Sequence, residues 1–262
     1  MSTNHWHSLF NAWSNLATPV RVPDEVIVCI KAEVAGITGP ILVLGLTSGL
    51  MDAGPDMTAV DQSRTLVEKV WPGNMPGRRA VVGDWLQLPF EAGSFAACIG
   101  DGSLISFDYP DRLQAVLAEV ARCSRPGAKF ACRLFLAPDA TLRFADVEAA
   151  IRTGEITFQH FKFKFAMAIA AELGTPNVRV ASIPEFFDAR FPDRDRLAAI
   201  TGWDRAEINT VDIYRNSAAN YAFPTRKQLL SVVPPSFSRV RLVPVPNHPL
   251  GDEWPVLAMD VG

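Results

Sequence analysis

Several residue types are scarce in this 262-residue chain, which has only four histidines, four cysteines and three tyrosines. Cys29, Cys98, Cys123 and Cys132 form no C-x-x-C pair, and three of them sit inside apolar runs. They read as buried free thiols of a reducing, cytoplasmic protein. His5 and His7 share a face only on a strand and diverge on a helix, so no clustered zinc ligands are expected. Long apolar runs are also missing. Residues 26–46 come nearest, but Lys31, Glu33, Gly36, Gly39 and Pro40 interrupt them, and a membrane helix needs ~20 consecutive apolar residues. The first ten residues hold no basic patch followed by an apolar stretch, so no signal peptide is expected. Positive charge is not in excess either. A net charge of −3 and a pI near 5.8 leave no overall field for phosphate backbones, which argues against nucleic acid as a partner. Repeats, charge blocks and low-complexity tracts are absent.

What remains is a chain that is 48% hydrophobic, with a mean hydropathy of +0.12. That is enough to close a sizeable core. Trp6, Leu9, Phe10 and Trp13 follow helical spacing, giving an N-terminal helix that could serve as a lid. Pro19 and Pro23 end it, and a second helix is expected over about 23–34, with Asp24 and Glu25 suiting the dipole of its first turn. Apolar runs at 40–44, 57–61, 80–84, 94–101 and 129–135 read as strands, with helices at 62–70 and 111–123 and a turn at 125–127. This alternation points to an α/β fold with a mostly parallel sheet. After Pro138 the alternation stops. Residues 139–231 look mainly helical, in segments 141–153, 156–173, 193–201, 204–220 and 225–232, and two closing strands follow at 237–244 and 255–261. Such a block is too long for a simple connection. The expected organisation is a core of residues 1–138, including the N-terminal helices, an inserted helical lobe of 139–231, and closing strands in 232–262.

In an open parallel sheet, ligands bind beyond the carboxyl ends of the strands. Strand one ends in Gly45-Leu46-Thr47-Ser48-Gly49, strands two and three in Asp61 and Asp84, and strand four in Gly100-Asp101-Gly102-Ser103. A nucleoside would find uses for each. Gly45 and Gly49 allow close backbone approach. Asp61 can accept both hydroxyls of a ribose. Asp84 can accept from an exocyclic amine, and the backbone N–H of Trp85 can donate to a ring nitrogen. Trp85, Leu86 and Leu88 could wall the base, and carbonyls near Gly100–Gly102 could hold an ammonium group.

These segments resemble, in order, the motifs of class I S-adenosylmethionine (SAM)-dependent methyltransferases. Val43-Leu44-Gly45-Leu46-Thr47-Ser48-Gly49 looks like their first motif, and Ala59-Val60-Asp61-Gln62-Ser63 like the acidic end of strand two. Gly83-Asp84-Trp85-Leu86-Gln87-Leu88-Pro89-Phe90, followed by Gly93-Ser94-Phe95-Ala96, is the most specific segment. Glu119 to Gly127 resembles the approach to strand five. The resemblance implies a Rossmann-like seven-stranded, mostly parallel sheet with an antiparallel last strand and a helical insertion between strands five and six. It implies SAM as cofactor, held by Gly45, Thr47, Gly49, Asp61, Gln62, Asp84, Trp85, Asp101 and Ser103, and a small-molecule substrate. It also exposes departures. Val43 stands where the family has an acid, Thr47 where it has the central glycine, and too few residues separate Gly49 from Asp61 for the usual helix. Asp52 is the one nearby acid that could substitute. The adenosine half of the site is thus expected to be intact and the methionine half altered, which leaves a non-catalytic partner subunit or regulator as the alternative. A nicotinamide oxidoreductase is disfavoured, because residues 45–50 fail the G-x-G-x-x-G pattern.

The lobe offers mainly packing residues. Phe158, Phe161, Phe165, Ile169 and Leu173 follow helical spacing, as expected of a core face, while His160, Lys162 and Lys164 are expected in solvent. Tyr214 and Tyr221 read as structural. Asp101, His160 and Tyr221 are the candidate general bases, and the sequence marks none of them out.

Overall fold

The structure, a computed structural model, describes residues 18–151 and 156–262. The N-terminal helix with Trp6 and Trp13 therefore lies outside the described residues. Chain contacts separate two compact units.

The first unit spans residues 22–136 and 228–262. It opens with α1 (Asp24–Glu33), whose first turn carries Asp24 and Glu25 as expected. Strands β1 (Ile41–Leu44) and β2 (Met57–Asp61) follow, then α2 (Arg64–Val70) and β3 (Arg78–Val82). Next come β4 (Phe95–Asp101), α3 (Asp111–Cys123) and β5 (Ser124–Arg133). After the second unit the chain returns through β6 (Phe237–Val243) and β7 (Val256–Val261). The sheet order is β3-β2-β1-β4-β5-β7-β6. Strands β1 to β5 are mutually parallel, and β7 is antiparallel to both its neighbours.

All four residues of β1 are buried, because both faces of the sheet are covered. Leu42 and Leu44 join a cluster with Leu113, Val116, Leu117 and Val120 of α3. Ile41 and Val43 join one with Val26 and Ile30 of α1 on the other face. Alternation along a strand and the i, i+3, i+4 spacing of α3 produce this layering. The turn expected at 125–127 is instead taken into β5, where the register with β4 shifts between Phe95 and Ala97 and Gly127 adopts φ +79°. Strand β3 ends at Val82, two residues short of the expected acid.

Among the described residues, the second unit comprises 18–21, 137–151 and 156–227. Its helices are α4 (Phe144–Ala150), α5 (Phe158–Glu172), α6 (Ser182–Arg190), α7 (Arg194–Thr201) and α8 (Arg205–Asn209). The last helix, α9 (Arg226–Val232), begins in this unit and ends in the first. The unit is not wholly helical. Asn177–Arg179 and Asn220–Ala222 form an antiparallel ribbon, and the long helix expected over 204–220 stops at Asn209 and passes into a 3₁₀ turn at Thr210–Tyr214. Tyr221 is extended there, paired with Val178, so tertiary pairing overrides local helical spacing. Phe158, Phe161, Phe165, Phe187 and Phe191 pack ring against ring, as the phenylalanine spacing implies. No described helix is long and apolar enough to cross a membrane.

Candidate functional site

The register of the sheet assembles the site. Leu44 lies beside Val60 on one side and beside Gly100 on the other. The residues that follow, Gly45, Asp61 and Asp101, therefore stand at one edge of the sheet.

At the end of β2, Asp61 is half-buried, and Oδ1 accepts a hydrogen bond from Ser63 N at 2.8 Å. This is the one hydrogen bond its carboxylate makes among the described residues, so Oδ2 is unused. Burial pushes its pKa above the usual carboxylate value, opposed by the Ser63 amide. Gln62 beside it is half-buried. The next side chain, Ser63, caps α2 by accepting from Leu66 N.

The ends of β1 and β4 are different. Gly45 has φ +101°, a conformation that favours glycine, and the ring of Trp85 lies 3.9 Å from the point where a side chain would start. A Cβ at Gly49 would meet the terminal methyl of Ile27 in α1 at 2.3 Å, so the loop packs closely on α1 there. Thr47 precedes a three-residue 3₁₀ turn, Ser48–Leu50, that stands in place of the longer helix, and its side chain makes no cap. Asp52 pairs with Lys31 at 2.5 Å, and that pairing lowers its pKa. Its carboxylate is exposed and faces α1.

Asp101 is tied up by both oxygens. Arg133 donates from Nε to Oδ1 at 2.6 Å and from Nη2 to Oδ2 at 2.9 Å. The two side chains are only 1% and 8% exposed, Arg133 and Asp101 respectively. Burial still pushes the Asp101 pKa up, against the pull of Arg133. Ser103 is buried and donates to Leu44 O at 2.8 Å, stitching the loop after β4 to β1. An added side chain at Gly100 would strike that hydroxyl at 2.6 Å.

Asp84 lies in the turn beyond β3 and not at its end. It is exposed and accepts from Leu86 N at 3.0 Å, a local cap. Leu88 belongs to the core and Leu86 packs against it, so Leu88 is not placed as a wall for a base. The Leu88-Pro89-Phe90 segment is held by α3. Glu119 accepts from Leu88 N at 2.7 Å, and Arg122 donates to Phe90 O and Leu88 O. Two of the motif-like stretches of the sequence thus support one another directly.

The candidate bases separate. His160 and Tyr221 lie in the second unit and are buried. His160 Nδ1 is 3.0 Å from Thr157 Oγ1, and burial raises the Tyr221 pKa well above 10.0. Lys162 was expected in solvent, but it is 2% exposed, with Nζ 4.5 Å from the Tyr214 ring centre and no hydrogen-bond partner among the described residues. Burial drives its pKa down to about 7, although Glu207 pulls it upward. Helical spacing missed it because α5 is buried nearly all round, polar positions included. Among the described residues, no three acidic, histidine or cysteine side chains are grouped to hold a metal ion.

The sequence family described as a methyltransferase domain matches residues 44–132, from the end of β1 to the end of β5. No curated protein matches the sequence. Among solved structures, a Rhodobacter sphaeroides protein carrying the candidate description of a zinc-dependent alcohol dehydrogenase is 12% identical. That match covers 99% of this chain and 97% of the other, with a TM-score of 0.60. A SAM-dependent methyltransferase of Thermotoga maritima is 12% identical over 98% of this chain and 99% of its own, with a TM-score of 0.49. A candidate methyltransferase of Haloferax volcanii, solved with a methyltransferase activator, is 22% identical. There the match spans 43% of this chain and 54% of the other, with a TM-score of 0.36. At these identities, structural likeness speaks to fold alone. The family match falls on the strand ends described above, so residues 44–132 are similar to a methyltransferase domain.

Proposed function

We propose that the chain is a SAM-dependent methyltransferase acting on a small molecule, with the ribose of the donor held at the end of β2. One observation carries this reading: Asp61 is a partly desolvated carboxylate at the edge of the sheet with one oxygen unused. A vicinal diol brings two O–H donors to such a group, and charge-assisted hydrogen bonds of this kind are the stronger sort. Asp61 therefore fits the ribose part of the cofactor. When bound, SAM supplies an electrophilic methyl group, and the chain's own work is then alignment and exclusion of water.

Proton removal from a hydroxyl or amine acceptor calls for a group that is neutral near pH 7. Asp101 is committed to Arg133. Calorimetric titration with SAM and with S-adenosylhomocysteine tests the reading. Saturable binding is expected, weakened at least tenfold by Asp61→Ala. Absence of heat for both ligands at millimolar concentration ends the proposal.

A second reading is favoured by the filled ends of β1 and β4. In it the chain is a non-catalytic methyltransferase-like protein, a partner subunit or regulator with weak or no SAM binding. That reading expects Asp61→Ala to leave the biological role intact, and a large loss on that change contradicts it.

A further inference from the structure

Trp85 is a residue of this chain's own motif whose side chain does something the strand-end pattern does not account for. Its indole Nε1 donates to Val60 O at 2.9 Å. The same carbonyl accepts Gly45 N at 2.9 Å, so one oxygen at the end of β2 pins both the indole and the start of the loop after β1. The far edge of the ring, Cζ2 and Cη2, lies 3.9 and 4.0 Å from where a Gly45 side chain would begin. The ring also packs, tilted and with centroids 5.9 Å apart, against Phe107, which is fully buried. The opening created by a glycine at position 45 is therefore filled by the chain itself, at van der Waals distance.

We infer that Trp85 is a movable stopper over the Gly45 end of the cofactor cleft, and that a nucleoside reaching across from Asp61 must displace it. The inference rests on the reading of Asp61 as the ribose anchor. The residue is half-buried and packs against Phe107 and the core, and its indole hydrogen bond goes to an oxygen that keeps a second partner when the indole leaves. Displacement leaves the sheet itself intact. Where binding requires a conformer that is only fractionally populated, apparent affinity is reduced by that fraction. Removing the stopper should therefore tighten binding.

The test is calorimetric titration of S-adenosylhomocysteine into the wild-type chain, Trp85→Ala, Trp85→Phe and Asp61→Ala, with circular dichroism as the folding control. We expect Trp85→Ala to bind roughly tenfold more tightly than wild type. Trp85→Phe, which keeps a ring but loses the Val60 bond, should gain less. Asp61→Ala should weaken binding. Equal affinity in wild type and Trp85→Ala overturns the stopper, and so does weaker binding by Trp85→Ala, which would make the indole a wall for the base. No binding by any variant overturns the ribose reading and the stopper with it. If Trp85→Ala does not fold, 5-fluorotryptophan NMR of the wild-type chain decides, with the Trp85 line assigned from Trp85→Phe. That line should shift when S-adenosylhomocysteine saturates the protein, and an unmoved line contradicts the inference.

Discussion

Asp61 and Asp101 end neighbouring stretches of the same sheet, on either side of β1, and their surroundings are opposite. Asp101 spends both oxygens on Arg133, in a pair almost wholly removed from water. Asp61 gives one oxygen to a local turn and keeps the other. Beside Asp101, Ser103 is likewise held inside the protein, on Leu44 O. Around Asp61, among the described residues, the one partner is the Ser63 amide. The same acid at the same topological position is a structural brace on one strand and an available acceptor on the other, and only the residue at position 133 and its burial separate the two roles. Lys162 extends the comparison to the second unit, as a buried amine with no hydrogen-bond partner among the described residues.

The sharpest way to break the comparison is to unpair the brace. Asp101→Ala leaves the Arg133 guanidinium buried without its counter-ion, and a loss of about 3–5 kcal/mol in unfolding free energy is expected. Denaturant unfolding measures it, and a loss below about 1 kcal/mol would mean that the pair is not the brace described. The next effect has the opposite sign. Lys162→Met removes a desolvated amine at similar volume and should stabilise the chain by roughly 2–4 kcal/mol at pH 7. The folded pKa of about 7 lies below the ordinary 10.5. The unfolded chain therefore binds more protons between those values, and wild-type stability rises with pH across that window. The variant should lose that rise. An identical pH profile in both proteins would place the amine in water. Smaller again is Gly49→Ala, whose new methyl would collide with Ile27, at about 1–3 kcal/mol. Pairing it with Ile27→Ala should recover most of that, a coupling that a ligand-binding role for Gly49 does not predict.

Much of this was legible in the sequence. Strand β2, helix α3 and the two closing strands fall within a residue or two of their apolar runs, because burial on both sheet faces enforces those patterns. The short link from Gly49 to Asp61 announced the missing helix, and the structure has a three-residue turn there. The site was read less well. Position in a motif shows which residues reach the edge of the sheet, not whether another side chain already holds them. Arg133 lies 32 residues from Asp101 and Ile27 lies in a different helix from the loop it fills, and neither contact leaves a local trace. The second unit was hardest. Its ribbon depends on pairing between segments some forty residues apart, and the burial of Lys162 depends on neighbours from several elements.

The most direct test is a crystal structure of the chain soaked with S-adenosylhomocysteine. The account predicts ribose hydroxyls on the unused oxygen of Asp61 with the Trp85 indole lifted off Val60 O. Ligand density elsewhere, or ribose that leaves Asp61 untouched, would contradict it.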